Sequence, residues 1–156
     1  MPMEIRLAET CDVPDLVAVV TRSITELCVD EYRGDPAVLA RWLANKTMAN
    51  FTRWVTDDRH IVFLAQEGGR VAGVGMLTHG GEVQLDYVSP DFRFRGVSKA
   101  LLAAMEGKGR VLGLAELWLG ATQLATGMYA SCGWCATGEI ESQFSTLPSR
   151  LMRKRL

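Results

Sequence analysis

A chain of 156 residues with 48% hydrophobic side chains can bury a substantial core, and it predicts one compact domain over residues 1–156. The formal net charge of −1, on 22% charged residues, gives no field that would draw nucleic acid or an anionic membrane. No apolar run reaches the roughly 20 residues that span a bilayer, and no basic-then-apolar leader opens the chain, so a cytoplasmic location is expected.

Glu4 to Ala8 alternates apolar and polar residues and predicts a first strand. Asp12 is placed to cap a helix whose apolar stripe is Val13, Leu16, Val17, Val20, Ile24 and Leu27. Asp35-Pro36 repeats the start signal, a capping residue followed by proline at the first helical position. The helical region that follows carries Trp42, Phe51 and Trp54 as core residues and breaks near Asn45 to Thr47. From His60 the pattern changes. Ile61 to Ala65 and Val71 to Leu77 flank the turn Glu67-Gly68-Gly69-Arg70 and read as a hairpin. Gly73-Val74-Gly75 lies inside that second strand and lacks the following helix that a dinucleotide fingerprint requires.

His79-Gly80-Gly81 turns the chain into a strand from Glu82 to Val88, closed by Ser89-Pro90. Ala100, Leu101, Leu102 and Met105 then mark a helix, with Gly107 and Gly109 weakening its far end by about 1 kcal/mol each. A strand from Leu114 to Leu119, a short helix from Gln123 to Ser131 and strands near Cys135–Ile140 and Arg150–Arg155 complete the chain. The basic end alternates Arg150, Arg153, Lys154 and Arg155 with apolar residues and predicts a strand with a solvated face. The fold class is therefore α+β, layered α/β/α, with a mixed, mostly antiparallel central sheet of six to seven strands flanked by helices. Cys11, Cys28, Cys132 and Cys135 read as reduced, mostly buried thiols. Only the last two form a CxxC pair, and the histidines lie far from it, so no metal is expected.

The chemistry concentrates between Val83 and Leu102. There a strand ends at a proline, a turn holds Arg93, Arg95 and Gly96, and a helix begins. A helix N-terminus offers unpaired N–H groups and a positive dipole end, which makes it an anion site. Gly96 lets the backbone approach a ligand, and two guanidinium groups suit phosphate, so a diphosphate is the natural guest. A solvated surface turn is the competing reading.

This segment resembles the acyl-CoA signature of the GNAT superfamily of N-acyltransferases, [QR]-x-x-G-x-[GA] after a strand ending in Val-x-Pro. Here it reads Arg93-x-x-Gly96-x-Ser98, with Ser98 where the signature has glycine or alanine. The resemblance continues through Leu117-Trp118-Leu119, through Tyr129-x-x-x-Gly133-Trp134, and through the opening Ile5-Arg6-Leu7-Ala8 with Asp12-Val13-Pro14. An asparagine common before the closing helix is replaced by Ala121-Thr122-Gln123. The resemblance implies a GNAT-like fold and acetyl-CoA as co-substrate. Backbone groups of Asp86, Tyr87 and Val88 would pair with the pantetheine arm. The turn of Arg93, Phe94, Arg95, Gly96, Val97, Ser98 and Lys99 would cradle the pyrophosphate.

It also implies direct attack by a primary amine, of a small molecule or peptide, in a ternary complex. Such attack needs a neutral amine, a stabilised oxyanion and a proton for the departing thiolate. Tyr129 matches the family's general acid. Glu82 is the first candidate for the base, and Asp86, four residues on and on the same face, is the second. His79 is a third. A non-catalytic acyl-CoA sensor is the alternative function, and the sequence leaves a homodimer open.

Overall fold

The computed structural model describes residues 2–142 and 148–156. Strand β1 covers Glu4–Leu7. A 3-10 turn then leads into α1, Val13–Arg22, which continues through a π-helical segment, Ser23–Leu27. Three short helices follow: α2 (Val29–Tyr32), α3 (Pro36–Leu43) and α4 (Met48–Thr56). Next come β2 (His60–Glu67), β3 (Arg70–Thr78) and β4 (Val83–Val88), then the long α5 (Val97–Val111). β5 (Glu116–Ala121), α6 (Thr126–Ser131), β6 (Cys135–Ile140) and β7 (Ser149–Arg155) close the chain. No described helix is long and apolar enough to cross a membrane.

Local chemistry accounts for most helix starts. The Asp35 carboxylate accepts from the Ala37 amide at 2.9 Å ahead of Pro36, as expected. Thr47 caps α4 in the same way, accepting from the Asn50 amide at 3.1 Å, and so ends α3 where the break was predicted. Asp12 does not cap α1. Its carboxylate is taken by Arg6, at 2.8 and 2.9 Å, and by the Glu9 amide at 2.7 Å, which tie β1 to the turn before the helix. The hydrogen bond from Arg6 holds that carboxyl below its usual range.

The expected single sheet is divided. β1-β2-β3-β4 form an antiparallel sheet in that order, and β5-β7-β6 form a second one. The two meet through one parallel bridge, Glu82 to Trp118, where the Trp118 amide donates to the Gly81 carbonyl at 2.9 Å. β4 and β5 run parallel and pair nowhere else among the described residues, so they part beyond the bridge.

Helices cover both faces. α1, α3 and α4 bury Leu16, Val20, Trp42, Phe51 and Trp54 against Val62, Leu64, Val74, Met76 and Leu85 of the first sheet. On the other face α5 buries Val97, Leu101, Leu102 and Met105 against Phe63, Ala65, Leu117, Leu119 and Met152, joining the two sheets into one core. The glycines of β3 permit this close approach. A Cβ on Gly73 would lie 2.6 Å from Val97 Cγ1 and 3.0 Å from the Tyr87 carbonyl oxygen. Gly109, predicted only to weaken α5, has the same role: its Cβ would meet Leu156 at 2.7 Å and Leu117 at 3.0 Å.

Two sequence expectations change. None of the four cysteines is buried: Cys11 and Cys135 are exposed and Cys28 and Cys132 are half-buried, because they sit on a turn, an edge strand and helix ends. Two of the basic residues of β7, on opposite faces of the strand, are ion-paired rather than only solvated. Arg153 reaches Glu116 at 2.6 Å and Lys154 reaches the buried Glu106 of α5 at 2.6 Å.

Candidate active site

The parting of β4 and β5 produces the site. A cleft of about 430 Å³ opens beside the bridge, walled by Trp42, Trp54, Tyr87 and Trp118. Glu82, Gln84, Glu31, Glu141, Asn45 and Lys46 supply its polar lining. Trp42 Nε1 donates to the Tyr87 hydroxyl at 3.0 Å, which fixes two of the aromatic walls. Burial raises the Tyr87 phenol above its ordinary value and lowers the Lys46 ammonium to about 8. Lys46 Nζ donates to Asn45 Oδ1 at 2.6 Å and to the Trp42 carbonyl at 3.3 Å. The sequence marks Trp42 and Trp54 as core residues, and the family resemblance implies that helix residues near them wall the acceptor site. They are core, and both also line the cleft.

A second groove, of about 330 Å³, runs along the start of α5. Val88, Phe92, Phe94, Gly96, Val97, Ser98, Lys99, Met128 and Cys132 line it. Gly96 is the residue before α5 and holds φ at +75°, a left-handed conformation that glycine adopts without a side-chain clash. No side chain caps α5, so the N–H groups of its first turn point outward at the positive end of a 15-residue helix. Phe94 also takes a positive φ, +62°, although it is not glycine, and is 93% exposed. Arg93 stacks on its ring at 4.7 Å. Arg95 lies over Phe92 and pairs with Glu67 at 2.7 Å, so its charge is already matched within the protein.

The outer edge of β4 from Gln84 to Val88 has no strand partner among the described residues. Its main-chain groups therefore face the gap between the sheets and are open to an extended ligand.

The predicted acid–base residues are distributed differently from expectation. Glu82 lines the cleft. Asp86 does not share that face. The β3–β4 register passes from Met76 opposite Leu85 to Leu77 opposite Val83, leaving Gln84 as an extra residue in β4. One inserted residue reverses the alternation of side chains. Asp86 accordingly turns toward α5 and α6, where Oδ2 accepts from Ser98 Oγ at 2.7 Å and from the Tyr129 hydroxyl at 3.0 Å. Oδ1 is buried and has no hydrogen-bond partner among the described residues.

Burial pushes the Asp86 carboxyl up to about 6, against the lowering effect of its two hydroxyl donors. Burial first, and then the neighbouring Asp86 charge, raise the Tyr129 phenol well above its ordinary value. The Tyr129 ring is 8% exposed and meets Trp134 edge-on at 6.1 Å. His79 lies in the exposed turn after β3, away from both grooves. The contact among Asp86, Ser98 and Tyr129 left no mark in sequence spacing, because it joins one strand to two helices.

Comparison with known proteins shows the family and the fold. Residues 28–156 match the family model of the acetyltransferase (GNAT) domain. An uncharacterized N-acetyltransferase of Mycobacterium tuberculosis is 27% identical over 139 residues, covering 81% of this chain and 85% of its own. Among solved structures, a GCN5-related N-acetyltransferase from Rhodopseudomonas palustris superposes with a TM-score of 0.86 at 24% identity, over 100% of this chain and 99% of its own. The PaiA N-acetyltransferase of Thermoplasma acidophilum, solved in complex with coenzyme A, gives 0.84 at 18% identity over 100% of both chains. The chain belongs to the GNAT family of acetyltransferases.

Proposed function

We propose that this protein transfers the acetyl group of acetyl-CoA to a primary amine of a small molecule or peptide, by direct attack within a ternary complex. The observation that carries the reading is the Glu82–Trp118 bridge, beyond which the strands part between two grooves. The groove at the start of α5 takes the nucleotide end of the cofactor, with diphosphate on the free amides from Phe94 to Lys99. The pantetheine arm pairs with the open edge of β4 at Asp86, Tyr87 and Val88 and brings the thioester to the gap. The amine enters from the aromatic cleft.

Glu82 receives the ammonium proton, directly or through water; it lines that cleft beside the bridge to β5. Unpaired amides of β4 polarise the thioester carbonyl. Tyr129 gives its proton to the departing thiolate. Family membership and the coenzyme A complex of the Thermoplasma protein support the choice of cofactor.

A panel of primary amines with acetyl-CoA, read by free-thiol release and by mass of the acetylated product, tests the reaction. Gly96→Glu places an anion where the diphosphate belongs and is expected to abolish cofactor binding in a folded protein. Unchanged affinity by calorimetry would refute the cofactor placement.

A further inference from the structure

Asp86 is a buried carboxylate that the transfer set out above leaves without a task for its side chain. Two hydroxyls converge on one of its oxygens, from Ser98 near the start of α5 and from Tyr129 on α6, at 2.7 and 3.0 Å. The other oxygen is enclosed by protein without a partner among the described residues. Ser98 occupies the position where the cofactor signature calls for glycine or alanine, and its hydroxyl is directed at this carboxylate. Resting on the transferase reading with Tyr129 as proton donor, we propose that Ser98 and Asp86 are positioning residues that aim the Tyr129 hydroxyl and determine when its proton is released.

While Asp86 is ionised, the phenol proton points at Oδ2 and is not offered to sulfur. When Asp86 carries a proton, that proton faces the phenol oxygen and the phenol proton turns toward the thiolate. In the transfer the phenol O–H bond breaks and an S–H bond forms on the leaving group. The carboxyl O–H bond breaks in turn, and its proton goes to the phenolate oxygen. Asp86 is left ionised and regains a proton from solvent, so one proton is delivered per acetyl transferred. The other titratable groups that act electrostatically on Tyr129 are Tyr87, on the same strand as Asp86 but turned to the other face, and Cys132, the residue after α6. Gly75 of β3, opposite Asp86, and Ser98 of α5 bring no charge.

Ser98→Ala is the test, since alanine meets the steric demand of the signature and removes only the hydroxyl. Loss of a donor to the carboxylate makes ionisation harder. In a carbon-13 carboxyl titration, with the Asp86 signal assigned by its loss in Asp86→Asn, the midpoint is expected to rise in Ser98→Ala and to return in Ser98→Thr. At saturating amine the descending limb of the kcat–pH profile should move with it, while KM for acetyl-CoA stays within a few-fold. Asp86→Asn, whose amide cannot titrate, should lose that limb. A limb that stays in place while the carboxyl midpoint moves would overturn the coupling, as would a midpoint indifferent to Ser98. Absence of turnover by the wild type on every amine would be a different failure, that of the transferase reading, and would withdraw the catalytic role with it.

Discussion

Gly73→Ala adds one methyl group where β3 meets the start of α5, and its cost follows from three distances. The new Cβ would lie 2.6 Å from Val97 Cγ1, 3.0 Å from Leu101 Cδ1 and 3.0 Å from the Tyr87 carbonyl oxygen. Val97 is β-branched and is the first residue of α5, so rotating it away is hard, and the carbonyl belongs to β4 backbone. Relief must come from moving the helix start off the sheet. Overpacking of this kind costs about 1–3 kcal/mol.

Gly75→Ala is the internal control. Its Cβ would meet Met105 Cε at 3.0 Å and Sδ at 3.3 Å, the end of a flexible side chain that can yield. Alanine also restores about 0.5–1 kcal/mol that glycine loses in a strand, so this variant should stay near wild type. Urea unfolding with unchanged slope reads the difference directly. Each kcal/mol should lower Tm by roughly 2–4 °C in a chain of this size. Because Val97 lies within the proposed diphosphate cradle, Gly73→Ala should also weaken coenzyme A binding, whereas Gly75→Ala should not. Equal unfolding midpoints for the two variants would refute the claim that Gly73 sets the distance of α5 from the sheet.

Asp86→Asn tests burial of the carboxyl through stability. The folded value, about 6, lies above the ordinary one, so the native state holds this proton more tightly and stability is lost as pH rises from about 4 through 6. Above that window the asparagine variant should be the more stable by on the order of 1–3 kcal/mol, and the gain should vanish below pH about 4. Phe94→Gly relieves a left-handed φ of +62° at a residue that buries almost nothing. It should raise stability by about 0.5–1 kcal/mol in thermal unfolding, despite the freer unfolded chain. Lys154→Ala strips the partner from Glu106, whose side chain is 8% exposed, and should cost about 2–3 kcal/mol at neutral pH. Denaturant unfolding of the two proteins at neutral pH reads that loss, and equal midpoints would refute it.

The sequence by itself determined the order of most elements and the glycine turn that opens α5, because both are written in local signals. Asp35-Pro36 and Thr47 act on amides two or three residues away, the paired glycines Gly68 and Gly69 sit at positive φ in the hairpin turn, and Arg93-x-x-Gly96 begins a helix within its own span. Tertiary structure decided what depends on register and on contacts between distant segments. Strand alternation placed Asp86 beside Glu82, yet a single extra residue, Gln84, turned it to the opposite face, and nothing local distinguishes a bulged strand from a regular one. The division into two sheets hangs on one bridge between segments 36 residues apart, Glu82 and Trp118, where a pairing strand and a parting strand share the same apolar pattern. The joining of Asp86 to Ser98 and Tyr129 arose likewise, from α5 lying close enough over Gly73 and Gly75 to bring hydroxyls of two helices onto one carboxylate.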